Sequence, residues 1–184
     1  MASSIATIAT RECTAGCAAL LFLLAAGCNT GENAWTPPVR RNPLSLTPAK
    51  GHVVNMNDPY AMAYVVQDVR NLLEAGAWRW TSRRPELRIY LDDIRGLKFT
   101  TDFAVPESGF RHTGPVTISF LINGRLLDRV KCEQPGNQHF EKPVPESWLH
   151  ARWLNFVTME PDKTWSDAWS TYGFILTRAG FAPN

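Results

Sequence analysis

Residues 115–132 read PVTISFLINGRLLDRVKC, and the reading of this stretch decides the fold. Asn123-Gly124 is the dipeptide that most readily takes the two positive φ angles of a type I′ turn, whose twist suits a pair of antiparallel strands. Apolar runs flank it on both sides, so 116–123 and 125–132 form the arms of a hairpin. Successive side chains on a strand point to opposite faces. The first arm therefore gathers Val116, Ile118, Phe120 and Ile122 on one face, with Thr117, Ser119 and Leu121 on the other. That is the pattern of a strand buried on one side.

Outward from the hairpin, period-two runs occur at 63–69, 77–81, 86–91, 97–103, 153–159 and 172–178. Short strands separated by Pro, Gly and Asn turns predict an all-β chain, an antiparallel sandwich or barrel. The segment 60–73 is ambiguous: Asp58-Pro59 suits a helix start, whereas Tyr64, Val65, Val66 and Val69 suit a strand, the preferred reading. Pro143 and Pro145 interrupt pairing and make PVPESWL a loop that leads into a turn at Trp148. In EAGAWRWTSRRPELRIYL (74–91), Trp78 and Trp80 share one face and Arg79 takes the other. The Leu87, Ile89, Leu91 series marks a core-building region, so the tryptophans are expected to pack inward. Arg79 is then free to reach a carboxylate such as Glu74 or Asp167.

The chain has 184 residues, enough for one ordinary domain plus N-terminal segments for export and tethering. Hydrophobic residues make up 45% and charged residues 20%, which indicates neither disorder nor a multi-span membrane protein. A formal charge of +2, with scattered Lys and Arg, lacks the basic footprint of a nucleic-acid binder. The apolar run TAGCAALLFLLAAG (14–27) is shorter than the ~20 residues of a spanning helix. It has the length of a signal-peptide core, with Arg11 as a weak positive region and small residues at its end. Leu24-Ala25-Ala26-Gly27-Cys28 resembles a bacterial lipobox, which implies that 1–27 are removed and that Cys28 becomes the lipidated first residue. The alternative is an ordinary secretory signal in which Cys28 is incidental. Asn29, rather than aspartate, follows the cysteine, so the resemblance implies a lipid-anchored extracytoplasmic protein of the bacterial envelope, on the outer membrane where one exists.

With Cys13 and Cys17 in the removed segment, only Cys132 accompanies Cys28. No internal disulfide is then expected, and Cys132 reads as a packed core residue. Residues 28–59 carry prolines at 37, 38, 43, 48 and 59 and read as a semi-extended tether ahead of a domain at 60–184. GxxxxGK, GxGxxG, HExxH and GxSxG are all absent. Asp92-Asp93 reads as a solvated turn with Arg95 and Gly96, and His52, His112, His139 and His150 are too dispersed to suggest a metal site. No pair of carboxylates is marked out for acid/base work. The expectation is therefore a non-enzyme without cofactor or metal.

Further motifs carry a resemblance: Trp78-Arg79-Trp80-Thr81, Leu87-Arg88-Ile89-Tyr90-Leu91, Ile122-Asn123-Gly124-Arg125-Leu126-Leu127, and the segments 136–145 and 167–181. Together, over 60–181, they look like a poorly characterised bacterial extracytoplasmic module with a galactose-binding-like, jelly-roll β-sandwich. Similar modules are attached to glycosyltransferases or occur in stand-alone lipoproteins. The late motif departs from the usual outline, since Ser166-Asp167 is followed by Ala168-Trp169-Ser170-Thr171-Tyr172-Gly173. Such a sandwich implies loop aromatics that stack on sugars and charged groups that bond hydroxyls. Trp165 and Trp169, in the polar loop PDKTWSDAWSTYG, are the candidates, with Asp167 and Arg79 beside them. The alternative is that both rings cap the core, a reading that is stronger still for Trp148 and Trp153. The expected role is non-catalytic carbohydrate binding or support of envelope-polysaccharide machinery; the alternative is a structural or protein-interaction module.

Overall fold

The computed structural model describes residues 52–184; the expected signal segment, Cys28 and the tether up to Gly51 lie outside the described residues. Among the described residues there are eleven strands: β1 (His52–Asn55), β2 (Val65–Val69), β3 (Arg79–Leu91), β4 (Leu97–Val105), β5 (Val116–Ile122), β6 (Arg125–Cys132), β7 (Gly136–Pro143), β8 (Trp153–Pro161), β9 (Trp165–Ser166), β10 (Thr171–Tyr172) and β11 (Ile175–Pro183). One short helix, α1 (Glu107–Thr113), joins β4 to β5. No helix among the described residues is long and apolar enough to cross a membrane.

The main path runs β6-β5-β8-β3-β11-β4-β7, with β1 added to β11 and β2 to β3. Every pairing is antiparallel. β3 is the strand that both layers share: Arg79 and Trp80 pair with Leu176 and Ile175 of β11, while Glu86 to Leu91 pair with Thr158 to Trp153 of β8. The result is an all-β antiparallel sandwich. Between the layers Phe99 and Phe103 of β4 meet Phe120 of β5, and in turn meet Phe181 of β11 and Phe174 just ahead of it, with ring centroids 5.6–6.2 Å apart. Each such ring contributes roughly 1.5–3 kcal/mol by leaving water.

The β5–β6 hairpin forms as expected, with Asn123 at φ 48 and Gly124 at φ 78. Val116, Ile118, Phe120 and Ile122 are buried. The Asn123 side chain donates to Trp148 O at 2.7 Å and accepts from Phe156 N at 2.8 Å, which fastens the turn to β8. Cys132 is a buried free thiol whose pKa burial pushes up. Asp93 pairs with Arg95 in the turn expected there.

Two strands of the larger sheet were not legible in advance. β1 occupies the last part of the expected tether, where Val54 and Met56 are buried. It approaches β11 so closely that a Cβ on Gly180 would lie 2.2 Å from His52 O. β7 is polar and pairs on one side only, with β4, so it has almost no apolar alternation to read; Phe140 is its one large apolar contribution, stacked on Phe120 at 4.4 Å.

Leu87, Ile89 and Leu91 build the core as expected, but the faces of 78–80 are the reverse of those expected. Arg79, Thr81, Leu87, Ile89 and Leu91 point into the core, whereas Trp80 and the preceding Trp78 are half-buried on the outer side. The expectation treated 77–81 and 86–91 as separate strands, each free to choose its phase. β3 runs through both, so parity is preserved and the even-numbered tryptophans must oppose Leu87.

Candidate functional site

Arg79 is 6% exposed, yet it is a charged side chain on the core side of β3. Its Nε donates to Met56 O at 3.0 Å and its Nη1 to Asn71 O. It therefore ties the segments after β1 and β2 to β3 through backbone carbonyls. The expected pairing with Glu74 or Asp167 is not what these contacts provide. Glu74 instead closes a tight turn, its backbone N–H donating to Trp78 O at 2.9 Å, with Ala75 and Gly76 both at positive φ.

The two candidate tryptophans of the late loop part company. Trp165 stacks on Tyr172 at 4.4 Å and on His112 of α1 at 5.4 Å, and meets Trp80 edge-on at 6.3 Å. Trp80 in turn meets Tyr172 at 5.0 Å and Trp78 at 5.7 Å. Trp165 Nε1 is buried without an acceptor among the described residues, and it lies over Gly109, where a Cβ would come within 2.7 Å. This ring is a packing element. Trp169, at the tip between β9 and β10, is 91% exposed.

Asp167 fixes the backbone on which Trp169 stands. Its Oδ1 accepts from Trp169 N at 2.8 Å and Ser170 N at 2.7 Å, and its Oδ2 accepts from the Tyr172 hydroxyl at 3.1 Å. The Trp169 N–H first, then the Tyr172 and Ser170 donors and the nearby Arg70 charge, hold its carboxyl below the usual aspartate range. Arg70 donates to Ser170 Oγ and lies over the Tyr172 ring at 4.8 Å. Among the described residues its side chain makes no other hydrogen bond.

Arg70 and Ser170 also line a polar cleft of about 260 Å³ with Asp68, Val69, Ser82 and Thr171. Trp169 is the residue before the lining Ser170 in the chain. The cleft thus offers a guanidinium, three hydroxyls and one carboxylate next to an exposed indole. Arg70, Asp68 and Ser82 were not singled out from the sequence, because they belong to an ambiguous segment and to the gap between the expected strands 77–81 and 86–91.

A second groove, of about 430 Å³, opens on the outer face of β3 and β8, with Arg84, Glu86, Phe156, Thr158, His150 and Trp153 among its lining residues. Trp153, expected in the core, is 67% exposed. It is the first residue of β8 and pairs with Leu91, the last of β3. Arg84 is held there by Glu160 at 2.7 Å, and Thr158 Oγ1 donates to Glu86 at 3.2 Å.

No family model matches the sequence. No curated protein matches it either. Among solved structures, the chain is similar to part of dimeric latent PorU from Porphyromonas gingivalis, with a TM-score of 0.41, 8% identity, and coverage of 72% of this chain and 12% of that one. It is also similar to part of BtGH115A, a family GH115 4-O-methyl-α-glucuronidase with specificity for decorated arabinogalactans, with a TM-score of 0.39, 9% identity, and coverage of 74% of this chain and 16% of that one. The chain thus spans less than a fifth of either protein, and both likenesses concern the β-rich architecture alone.

Proposed function

We propose that this chain is a lipid-anchored, extracytoplasmic protein whose β-sandwich binds carbohydrate without cleaving it. The observation that carries the binding role is Trp169: an indole 91% exposed, on a backbone fixed by Asp167 and one residue before Ser170 of the Arg70 cleft. An indole face stacks on the apolar face of a pyranose, while guanidinium, carboxylate and hydroxyl groups bond its hydroxyls. Glycoside hydrolysis generally uses two carboxylates that flank the scissile bond. Asp68 is the one carboxylate lining the cleft, and its Oδ2 accepts from Arg84 N at 2.7 Å. The role assigned is therefore recognition.

A glycan array probed with the detergent-solubilised full chain tests the reading. Wild type should give a defined set of positives that Trp169→Ala loses. The anchor rests on the lipobox-like sequence ending at Cys28. Mass spectrometry of the membrane fraction should find acylated Cys28, and a soluble, unmodified mature chain would exclude that part.

A protein-interaction role has its own supporting observation in Tyr60, Val66 and Leu72, which lie exposed within one short segment. Silence across the array, together with co-purification of one membrane protein that Leu72→Asp abolishes, would put that role first.

A further inference from the structure

The small cleft and the larger groove lie on one continuous face. Ser82 lines the first, and Arg84 and Glu86 line the second. These are successive even-numbered residues of β3, so they share its outer side. The two depressions meet where Arg84 N donates to Asp68 Oδ2, a hydrogen bond of 2.7 Å. Beyond Glu86 the groove continues across the paired Thr158 and Phe156 of β8 to Trp153. From Ser82 to Tyr90 this face extends about 26 Å, at roughly 3.3 Å per residue. An exposed tryptophan stands at each end, Trp169 beside the cleft and Trp153 at the far limit of the groove.

We propose that this track binds the interior of a linear polysaccharide chain, several sugar units at once, rather than a single terminal sugar. The inference rests on the carbohydrate-binding reading and adds the class of ligand. A track much longer than one pyranose ring suits successive rings. The row Ser82, Arg84 and Glu86 offers a hydroxyl, a guanidinium and a carboxylate in turn, which matches hydroxyls that both give and accept. An extended peptide would instead need a free strand edge for main-chain pairing. Where the two depressions adjoin, at Glu86 and Leu87, β3 has no free edge: β8 holds one side and β2 the other.

The test is calorimetry of the full chain in detergent with linear gluco-, xylo- and galacturono-oligosaccharides, each from disaccharide to hexasaccharide, read beside the glycan array. For one of these backbones, affinity should rise with length before levelling. Trp153→Ala should weaken the hexasaccharide roughly tenfold, the scale of one stacked ring, and leave the disaccharide unchanged. Trp169→Ala should weaken both. Length-independent affinity untouched by Trp153→Ala would overturn the track while leaving the Trp169 cleft as a sugar site. Silence of every ladder with array positives confined to terminal or branched sugars would overturn it as well. Silence of both ladders and array would remove the carbohydrate reading itself.

Discussion

Two groups of aromatic rings divide the domain. Between the layers, phenylalanines pack without a polar atom, and Phe99, Phe103, Phe120, Phe174 and Phe181 are all fully buried. At one end, Trp78, Trp80, Trp165, Tyr172 and His112 make similar ring contacts while half-exposed and carrying N–H and O–H groups. The first group holds the layers together. The second is a footing: it seats the loop that presents Trp169, through the Tyr172 hydroxyl on Asp167 and the Tyr172 face under Arg70. Similar packing geometry thus performs two tasks, and substitutions should separate them.

The largest effect should come from Phe120→Ala, which empties the meeting point of the phenylalanine group and should cost about 3–5 kcal/mol in denaturant unfolding. Arg79→Leu comes next, since it leaves two carbonyl acceptors near the core without their donor, at about 1–3 kcal/mol for each fully buried one. Glycan binding per folded molecule should survive both. Gly109→Ala probes the footing, because the new methyl would press on Trp165 Nε1, a ring already held by Tyr172 and His112. A loss of about 1–3 kcal/mol is expected, with weaker binding and changed near-ultraviolet circular dichroism.

Acid should act on the loop more gently. Asp167 has a depressed pKa in the folded chain, so its contribution is complete above the ordinary aspartate value and is lost as pH falls through the lower folded value. The amide resonances of Trp169 and Ser170 should report that transition in an acid titration, and Asp167→Asn should abolish it. The smallest effect on stability belongs to Trp169→Ala, within about 0.5 kcal/mol as for an exposed side chain. Its effect on binding should be the largest of the five, and a substantial fall in stability would merge the two roles drawn apart above.

The hairpin was legible because its information is local: Asn123-Gly124 and seven alternating residues specify it without help. The outer placement of Trp78 and Trp80 was not, because it depends on whether 82–85 breaks the strand, and the pairing of Val69 with Thr81 and of Gln67 with Glu86 decides that from β2. Trp165 and Trp169 look alike in sequence. What tells them apart is a glycine and a histidine on α1, more than fifty positions earlier in the chain. Trp153 looked like core by composition, yet as the first residue of β8 it is exposed beside a buried partner, Leu91.

The chain enters this domain through β1, whose His52 sits opposite Phe181 near the finish of β11, whereas the loop that carries Trp169 leads into the start of β11 at Ile175. The start of β1 and the Trp169 tip therefore lie toward opposite ends of one strand. A pull on the residues ahead of His52, resisted by a ligand at that tip, runs along β1 and β11. Their hydrogen bonds share the load in shear instead of failing one after another, so the β1–β11 pair is arranged to resist a pull along its length.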